Sequence, residues 1–162
     1  MPSREDLKVY NVKSVGIVDC EISDSCTVVM PSNLYGCQVS EGCFIGPFVE
    51  VQRNVRIGAF TRIQSHSFIC EFVSLGEKCF IGHGVMFIND LFRDGSPANG
   101  DISKWRRTNV GNNVSIGSNS TILPVDICDD VVIGAGAVVT KNINEPGIYA
   151  GNPAKLLRKV ND

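Results

Sequence analysis

The sequence predicts an all-β protein: a left-handed parallel β-helix of hexapeptide repeats, with one long inserted loop and a short C-terminal helix. Three observations lead to that fold. An aliphatic or aromatic residue recurs at every sixth position through Val39, Ile45, Val51, Ile57, Ile63, Ile69, Leu75, Ile81 and Phe87. A smaller residue follows each by four places, as at Cys43, Val49, Val55, Thr61, Ser67, Val73, Cys79 and Val85. Glycine often stands directly after the aliphatic residue, at Gly46, Gly58, Gly76, Gly82, Gly111, Gly117 and Gly134. A six-residue period is neither the roughly 3.6 of an amphipathic helix nor the alternation of a hairpin. A short strand and a tight turn, three times per coil, place the aliphatic residue inside a triangular prism and the smaller one near a corner. Gly, Asn and Asp are expected to supply the positive-φ conformations of those corners. Coils stacked roughly 4.8 Å apart bury their apolar faces only against their neighbours.

The phase runs backwards through Leu34, Val28 and Ile22, with one residue missing between Leu34 and Val39. It resumes at Val110, Ile116 and Ile122, then Ile127, Ile133 and Val139, again one residue short before Ile127. The whole chain, residues 1–162, is therefore read as one solenoid domain. Its 15 basic and 17 acidic residues leave a formal charge of -2, which argues against nucleic acid as a partner, because such binding draws on clustered Lys and Arg. No apolar run approaches the roughly 20 residues that span a bilayer, so membrane insertion is not expected. Met1-Pro2-Ser3-Arg4-Glu5-Asp6 lacks the basic and then apolar character of a secretory leader. A cytoplasmic location follows as the expectation.

Seven cysteines include no CxxC pair. Cys20, Cys26, Cys43 and Cys79 fall on or near the small interior position, and Cys37, Cys70 and Cys128 lie beside the strands. None is read as a nucleophile, and no disulfide is expected. The only histidines, His66 and His83, are too few for a three-His zinc site, so no metal is expected.

The repeat breaks once, over residues 88–109. That insert holds Asn89, Asp90, Arg93, Lys104, Arg106, Arg107 and the only tryptophan, Trp105. A loop of this length on a regular scaffold points to function, namely reaching across to a neighbouring subunit to close a cleft. After Pro146-Gly147 the chain leaves the repeat. Asn152 as N-cap, Pro153 at the first helical position and basic residues near the end predict a short helix over about 153–160.

Three stretches carry a more specific resemblance: Ile63-Gln64-Ser65-His66-Ser67-Phe68-Ile69-Cys70-Glu71, Phe80-Ile81-Gly82-His83-Gly84-Val85-Met86-Phe87-Ile88-Asn89-Asp90, and Gly134-Ala135-Gly136-Ala137-Val138-Val139-Thr140-Lys141 ahead of Gly151-Asn152-Pro153-Ala154-Lys155. With them the chain resembles the hexapeptide-repeat acyltransferases, and most of all those that acetylate the 3-amino group of dTDP- or UDP-linked sugars. The resemblance implies a homotrimer with active sites between subunits, acetyl-CoA as co-substrate, a nucleotide-sugar acceptor and a place in surface-polysaccharide or O-antigen precursor synthesis. It puts Ala135 and Gly136 beside the pantetheine, and Lys141, Lys155 and Arg158 near the nucleotide end of CoA. It marks Asn89 as the residue touching the sugar amine, with Asp90 in the same motif. Two places depart from the family pattern, Leu91-Phe92-Arg93 in the insert and the shortened turn Leu123-Pro124-Val125.

Residues 18 apart share a face in successive coils, which sets Glu71 one coil beneath Asn89 and His66 beneath Gly84, next to His83. Asn89, Asp90, His66, His83 and Glu71 are thereby expected near one edge of the prism, where the insert begins. With the role that the resemblance gives Asn89 and Asp90, the expected catalytic residues are Asn89, Asp90 and His66, and the expected substrate-binding residues are Glu71, His83, Arg93 and Trp105. An amine with a pKa near roughly 8 is partly neutral at physiological pH and needs orientation more than a base. A hydroxyl acceptor would instead require a base, for which His66 is the better placed histidine. An O-acetyltransferase acting on a sugar or serine hydroxyl therefore stands as the alternative, and a non-catalytic scaffold as a further one.

Overall fold

The computed structural model describes residues 16–160; the leader reading at Met1–Asp6 lies outside them. The repeat builds three parallel sheets that form the faces of a prism. The first face stacks Ile17–Val18, Asn33–Tyr35, Glu50–Val51, Phe68–Ile69, Met86–Phe87, Thr121–Ile122 and Val138–Val139. The second stacks Glu21–Ile22, Gln38–Val39, Arg56–Ile57, Val73–Leu75, Thr108–Val110 and Asp126–Ile127. The third stacks Thr27–Val28, Phe44–Ile45, Arg62–Ile63, Phe80–Ile81, Ser115–Ile116, Val131–Ile133, Gly147–Ala150 and Lys155–Arg158. The fold is the expected β-helix. Among the described residues no helix is long and apolar enough to cross a membrane.

From Glu21–Ile22 onward the second side chain of each two-residue strand points inward, giving three apolar columns. On the first face the column is Leu34, Val51, Ile69, Phe87, Ile122 and Val139, all essentially buried. The missing residues of the sequence pattern reappear as register: Phe68 pairs with Glu50 and Met86, 18 residues away on either side, whereas Ile22 pairs with Val39 and Thr121 with Val138, 17 apart. The small interior positions that are polar donate across the coil. Thr61 Oγ1 reaches the Gly76 carbonyl at 2.9 Å, and Ser67 Oγ the Gly82 carbonyl at 2.8 Å. No buried polar side-chain atom among the described residues lacks a partner, as a close-packed interior requires.

The corners differ from expectation in one respect. Left-handed backbone recurs every six residues at Gly36, Gly42, Phe48, Asn54, Phe60, His66, Phe72, Lys78 and Gly84. Large side chains hold the conformation beside glycine, since corner N–H groups bond to the coil below, as from Phe48 to Pro31, from His66 to Pro47 and from Gly84 to Ser65. The glycines that follow the aliphatic residues serve close packing instead: a Cβ at Gly58 would lie 2.5 Å from the Gly76 carbonyl carbon.

The predicted C-terminal helix is a strand. Gly147–Ala150 extends the third face beyond Val131–Ile133, and Lys155–Arg158 folds back antiparallel upon it. The turn runs through residues 151–154, with a cis Asn152–Pro153 bond. Two forces favour the strand. An exposed last edge would leave backbone groups unpaired, and Leu156 fills the space left by Gly147, where an added Cβ would meet its Cδ1 at 2.6 Å. The basic tail thus pairs as a ladder, and Asn152–Pro153 is its turn instead of a helix start.

Cys37 and Cys70, read as flanking positions, are as buried as Cys43 and Cys79. Cys37 takes the small interior position of its shortened repeat. Burial pushes the thiols up, Cys37 and Cys70 to about 12 and Cys43 to about 11. Unfolded thiols ionise near about 8.5, so above that pH the unfolded chain sheds protons the folded chain retains. Stability from these groups is complete below about pH 8.5 and falls as pH climbs toward 11–12, by up to about 1.4 kcal/mol per pH unit for each thiol. Urea unfolding at pH 8 and pH 10.5 should show the loss, and Cys70→Ala should flatten its slope; an unchanged midpoint in the parent protein would contradict it.

Candidate functional site

The insert leaves the first face after Met86–Phe87 and rejoins the second at Thr108–Val110, so it replaces one first-to-second corner. Asp90 organises it: Oδ1 accepts from the Phe92 N–H at 2.9 Å and Oδ2 from the Ala98 N–H at 2.7 Å. A short 3-10 turn at Ile102–Lys104 is capped by Asp101, and Lys104 pairs with Asp94 at 2.9 Å. The return leg is tied down where the Arg106 N–H donates to the Asn89 carbonyl at 2.9 Å. Trp105 packs at a tilt against Phe72, with ring centroids 6.4 Å apart.

Asn89 is therefore fixed at the mouth of the insert. Its Nδ2 donates to the Glu71 carbonyl one coil below at 3.3 Å, leaving Oδ1 without a partner among the described residues. The spacing of 18 read from sequence is the observed contact. Beneath it runs a polar ladder that the sequence did not reveal. The Glu71 N–H donates to Gln52 Oε1 at 3.2 Å, Gln52 Nε2 to Glu50 Oε1 at 3.2 Å, and the Tyr35 hydroxyl to the same Glu50 oxygen at 3.1 Å. Burial first, and the Glu50 carboxylate second, hold the Tyr35 hydroxyl above its ordinary range. Glu50 and Gln52 share one coil, and only the stacking of Tyr35 and Glu71 in the coils on either side makes a chain of them.

A second group occupies the third-to-first corner. Phe48, His66, Gly84, Asn119 and Gly136 succeed one another there, each left-handed. The His66 imidazole is exposed and lies flat on Phe48, centroids 4.9 Å apart and planes 10° from parallel. His83, also exposed, follows one coil above Ser65, and its N–H donates to Ser118 Oγ at 3.2 Å. Ala135 and Gly136 form the exposed top of the same corner, and a Cβ at Gly136 would meet nothing within 4 Å. A ligand can reach this backbone without displacing a side chain.

Within one chain, then, Asn89, Asp90, Glu71 and Trp105 meet at the first-to-second corner, with Arg93 exposed further along the insert. His66, His83, Ala135 and Gly136 share the third-to-first corner. The expectation of one common edge is not met, because positions 66 and 71 bracket a full face. Lys141 is exposed after Val138–Val139, and Lys155 and Arg158 lie on the terminal strand. Asp90, with both oxygens taken by backbone N–H groups, shapes the loop. Among the described residues no group of three or more His, Cys, Asp or Glu could hold a metal ion.

Comparison with known proteins agrees with this architecture. Residues 107–141 match the family described as the hexapeptide repeat of succinyl-transferase. The bifunctional protein GlmU of Streptococcus uberis is 30% identical over 151 residues, which are 88% of this chain; the chain spans only 32% of that relative's length. A hexapeptide transferase family protein from Anaplasma phagocytophilum superposes with a TM-score of 0.70 at 17% identity, over 89% of this chain and 82% of that one. A mutant perosamine N-acetyltransferase from Caulobacter crescentus, in complex with CoA and GDP-perosamine, superposes with a TM-score of 0.54 at 22% identity, over 85% and 55% of the two chains. At these identities the two structures speak for the fold.

Proposed function

We propose that the chain is a hexapeptide-repeat acetyltransferase, a reading supported by the match over residues 107–141 and by the shared fold, and more finely a cytoplasmic, acetyl-CoA-dependent N-acetyltransferase acting on the amino group of a nucleotide-linked 3-amino sugar. One observation carries the choice of acceptor: Asn89 is clamped through its Nδ2 and backbone carbonyl, so that Oδ1 is offered outward at the mouth of the insert. A neutral amine donates an N–H to that oxygen and keeps its lone pair for the thioester. The nitrogen attacks the acetyl carbonyl, the C–S bond breaks, and the departing CoA thiolate takes up the proton the nitrogen releases. A backbone N–H steadies the developing oxyanion. The perosamine N-acetyltransferase of the same fold binds CoA and GDP-perosamine, which supports a nucleotide-linked acceptor here.

In this proposal acetyl-CoA lies along the third-to-first corner, with its pantetheine over Ala135 and Gly136 and its nucleotide toward Lys141, Lys155 and Arg158. Because Asn89 stands at the other border of the first face, the site is completed in a homotrimer, the insert of one subunit meeting the third-to-first corner of the next. Arg93 and Trp105 then face the acceptor, with Glu71 and His83 lining its path. His66, with its ring plane fixed by Phe48, supports one second reading, in which it serves as base for a sugar or serine hydroxyl.

The experiment is release of free thiol from acetyl-CoA with a panel of dTDP- and UDP-linked 3-amino and 4-amino sugars beside hydroxyl acceptors. Turnover is expected only with amino sugars. Turnover confined to hydroxyl acceptors would move the assignment to the second reading.

A further inference from the structure

The second face carries a polar groove of about 330 Å³ running along several coils beside the first-to-second corner. Its floor is a row of outward side chains in register, Glu21, Gln38, Arg56, Ser74 and Asn109, which Asp126 continues beyond the groove. The two ends of the row satisfy themselves. Gln38 Nε2 donates to Glu21 Oε2 at 2.9 Å, and Asn109 Nδ2 to Asp126 Oδ1 at 2.7 Å. The centre does not: the Arg56 guanidinium and the Ser74 hydroxyl have no hydrogen bond or ion pair among the described residues. Arg107, on the return leg of the insert, lines the same groove with its guanidinium 5.4 Å above the Phe72 ring and no carboxylate beside it. Among the described residues the one ion pair is Lys104 with Asp94. Asp19 lines the far end with Glu21, so the positive charge is confined to the end nearest the insert.

Two guanidinium groups outside any ion pair, flanking a free hydroxyl in a concave surface, suit an anion with several oxygens, since the planar fork matches phosphate geometry. The geometry points to a diphosphate site: Arg56 and Arg107 hold the diphosphate of the nucleotide-linked acceptor, and Ser74 donates between them. The acceptor is favoured over CoA because the groove adjoins the corner that carries Asn89, whereas Gly134–Gly136 lies at another corner. This assignment rests on the proposed acceptor class, but its test needs no acetyl transfer.

The test is calorimetric binding of UDP, dTDP and CoA to the full chain and its variants. Arg56→Ala and Arg107→Ala should each weaken nucleoside diphosphate binding about 10-fold or more, the range for charge-assisted hydrogen bonds. Arg56→Lys, which keeps charge and loses the fork, should fall between, and CoA affinity should stay within about twofold. Both arginines are exposed, so an unchanged thermal midpoint is expected to accompany each loss. No nucleoside diphosphate binding by the parent chain, binding indifferent to both arginines, or a loss confined to CoA would each overturn the site. Amino-sugar acetylation with arginine-independent UDP and dTDP binding would remove this site alone. Arginine-dependent binding without amino-sugar acetylation would remove the proposed activity and leave the site.

Discussion

Asn89→Ala is expected to lower kcat about 100-fold on an amino-sugar acceptor, with KM for acetyl-CoA unchanged. The side chain does two things at once. Its Nδ2 bond to the Glu71 carbonyl, at 3.3 Å, fixes its rotamer, and its Oδ1 is left for the acceptor. Losing an orienting contact lets the nitrogen wander from the attack line, and misplacement by about 1 Å can lower a rate about 100-fold. The fold should hardly notice, since one hydrogen bond is worth about 0.5–1.5 kcal/mol net and the neighbouring Arg106–Asn89 bond runs through the backbone. Asn89→Asp, which keeps an acceptor oxygen but sets a carboxylate against the Glu71 carbonyl, should lie between. His66→Ala is the companion measurement. A self-sufficient amine needs no base, so the loss should be well below the 10²–10⁴-fold, in order of magnitude, that general bases contribute. A fully active Asn89→Ala, or a loss beyond about 1,000-fold in His66→Ala, would exchange the roles of the two residues.

Phe87→Ala is expected to destabilise the protein by about 3–5 kcal/mol, the range for deleting a buried phenyl ring. Phe87 is 0% exposed and is the one aromatic ring in an inward column otherwise built of Leu, Ile and Val. Ile69 stands below it and Ile122 above it in successive coils. Neither can move to fill the space, because strand pairing fixes the spacing of coils. A solenoid also has no distant core to share the loss, as each coil rests only on its neighbours. Asn89 lies two residues beyond the ring, so activity should fall along with the unfolding midpoint in urea. Phe87→Leu, closer in volume, should lose less than about 1.5 kcal/mol. A loss below about 1 kcal/mol in the alanine variant would mean that the coil beneath the insert packs loosely.

The inward columns were legible in the sequence because one residue in six does one job throughout. Even the two skipped residues, after Leu34 and after Ile122, are visible as pairs of strands 17 apart, Ile22 with Val39 and Ile122 with Val139. The Asn89–Glu71 contact followed from the same arithmetic. Three features did not. His66 and Glu71 are near in sequence, yet a run of five residues crosses a whole face, and position along a coil is what separates corners. The corner conformations at Phe48, His66 and Phe72 run against residue preference, since bonds between coils outweigh it there. The tail was misread because Asn152, Pro153 and the basic residues satisfy local helix rules, while the unpaired edge of Gly147–Ala150, a tertiary demand, decides for a strand. Free hydrogen-bonding capacity at Arg56, Ser74 and Asn89 Oδ1 belongs to the same class, for it emerges only when neighbours in three dimensions are known.

The acyl acceptor atom is the centre of the proposed function, and the linkage formed in the product identifies it. Purified protein, acetyl-CoA and a 3-amino nucleotide sugar should give a product carrying one added acetyl group, followed by mass spectrometry before and after treatment with neutral hydroxylamine. An acetyl group that survives the treatment is an amide, the predicted result. An acetyl group released by hydroxylamine is an ester on a hydroxyl, and that outcome would contradict N-acetyl transfer.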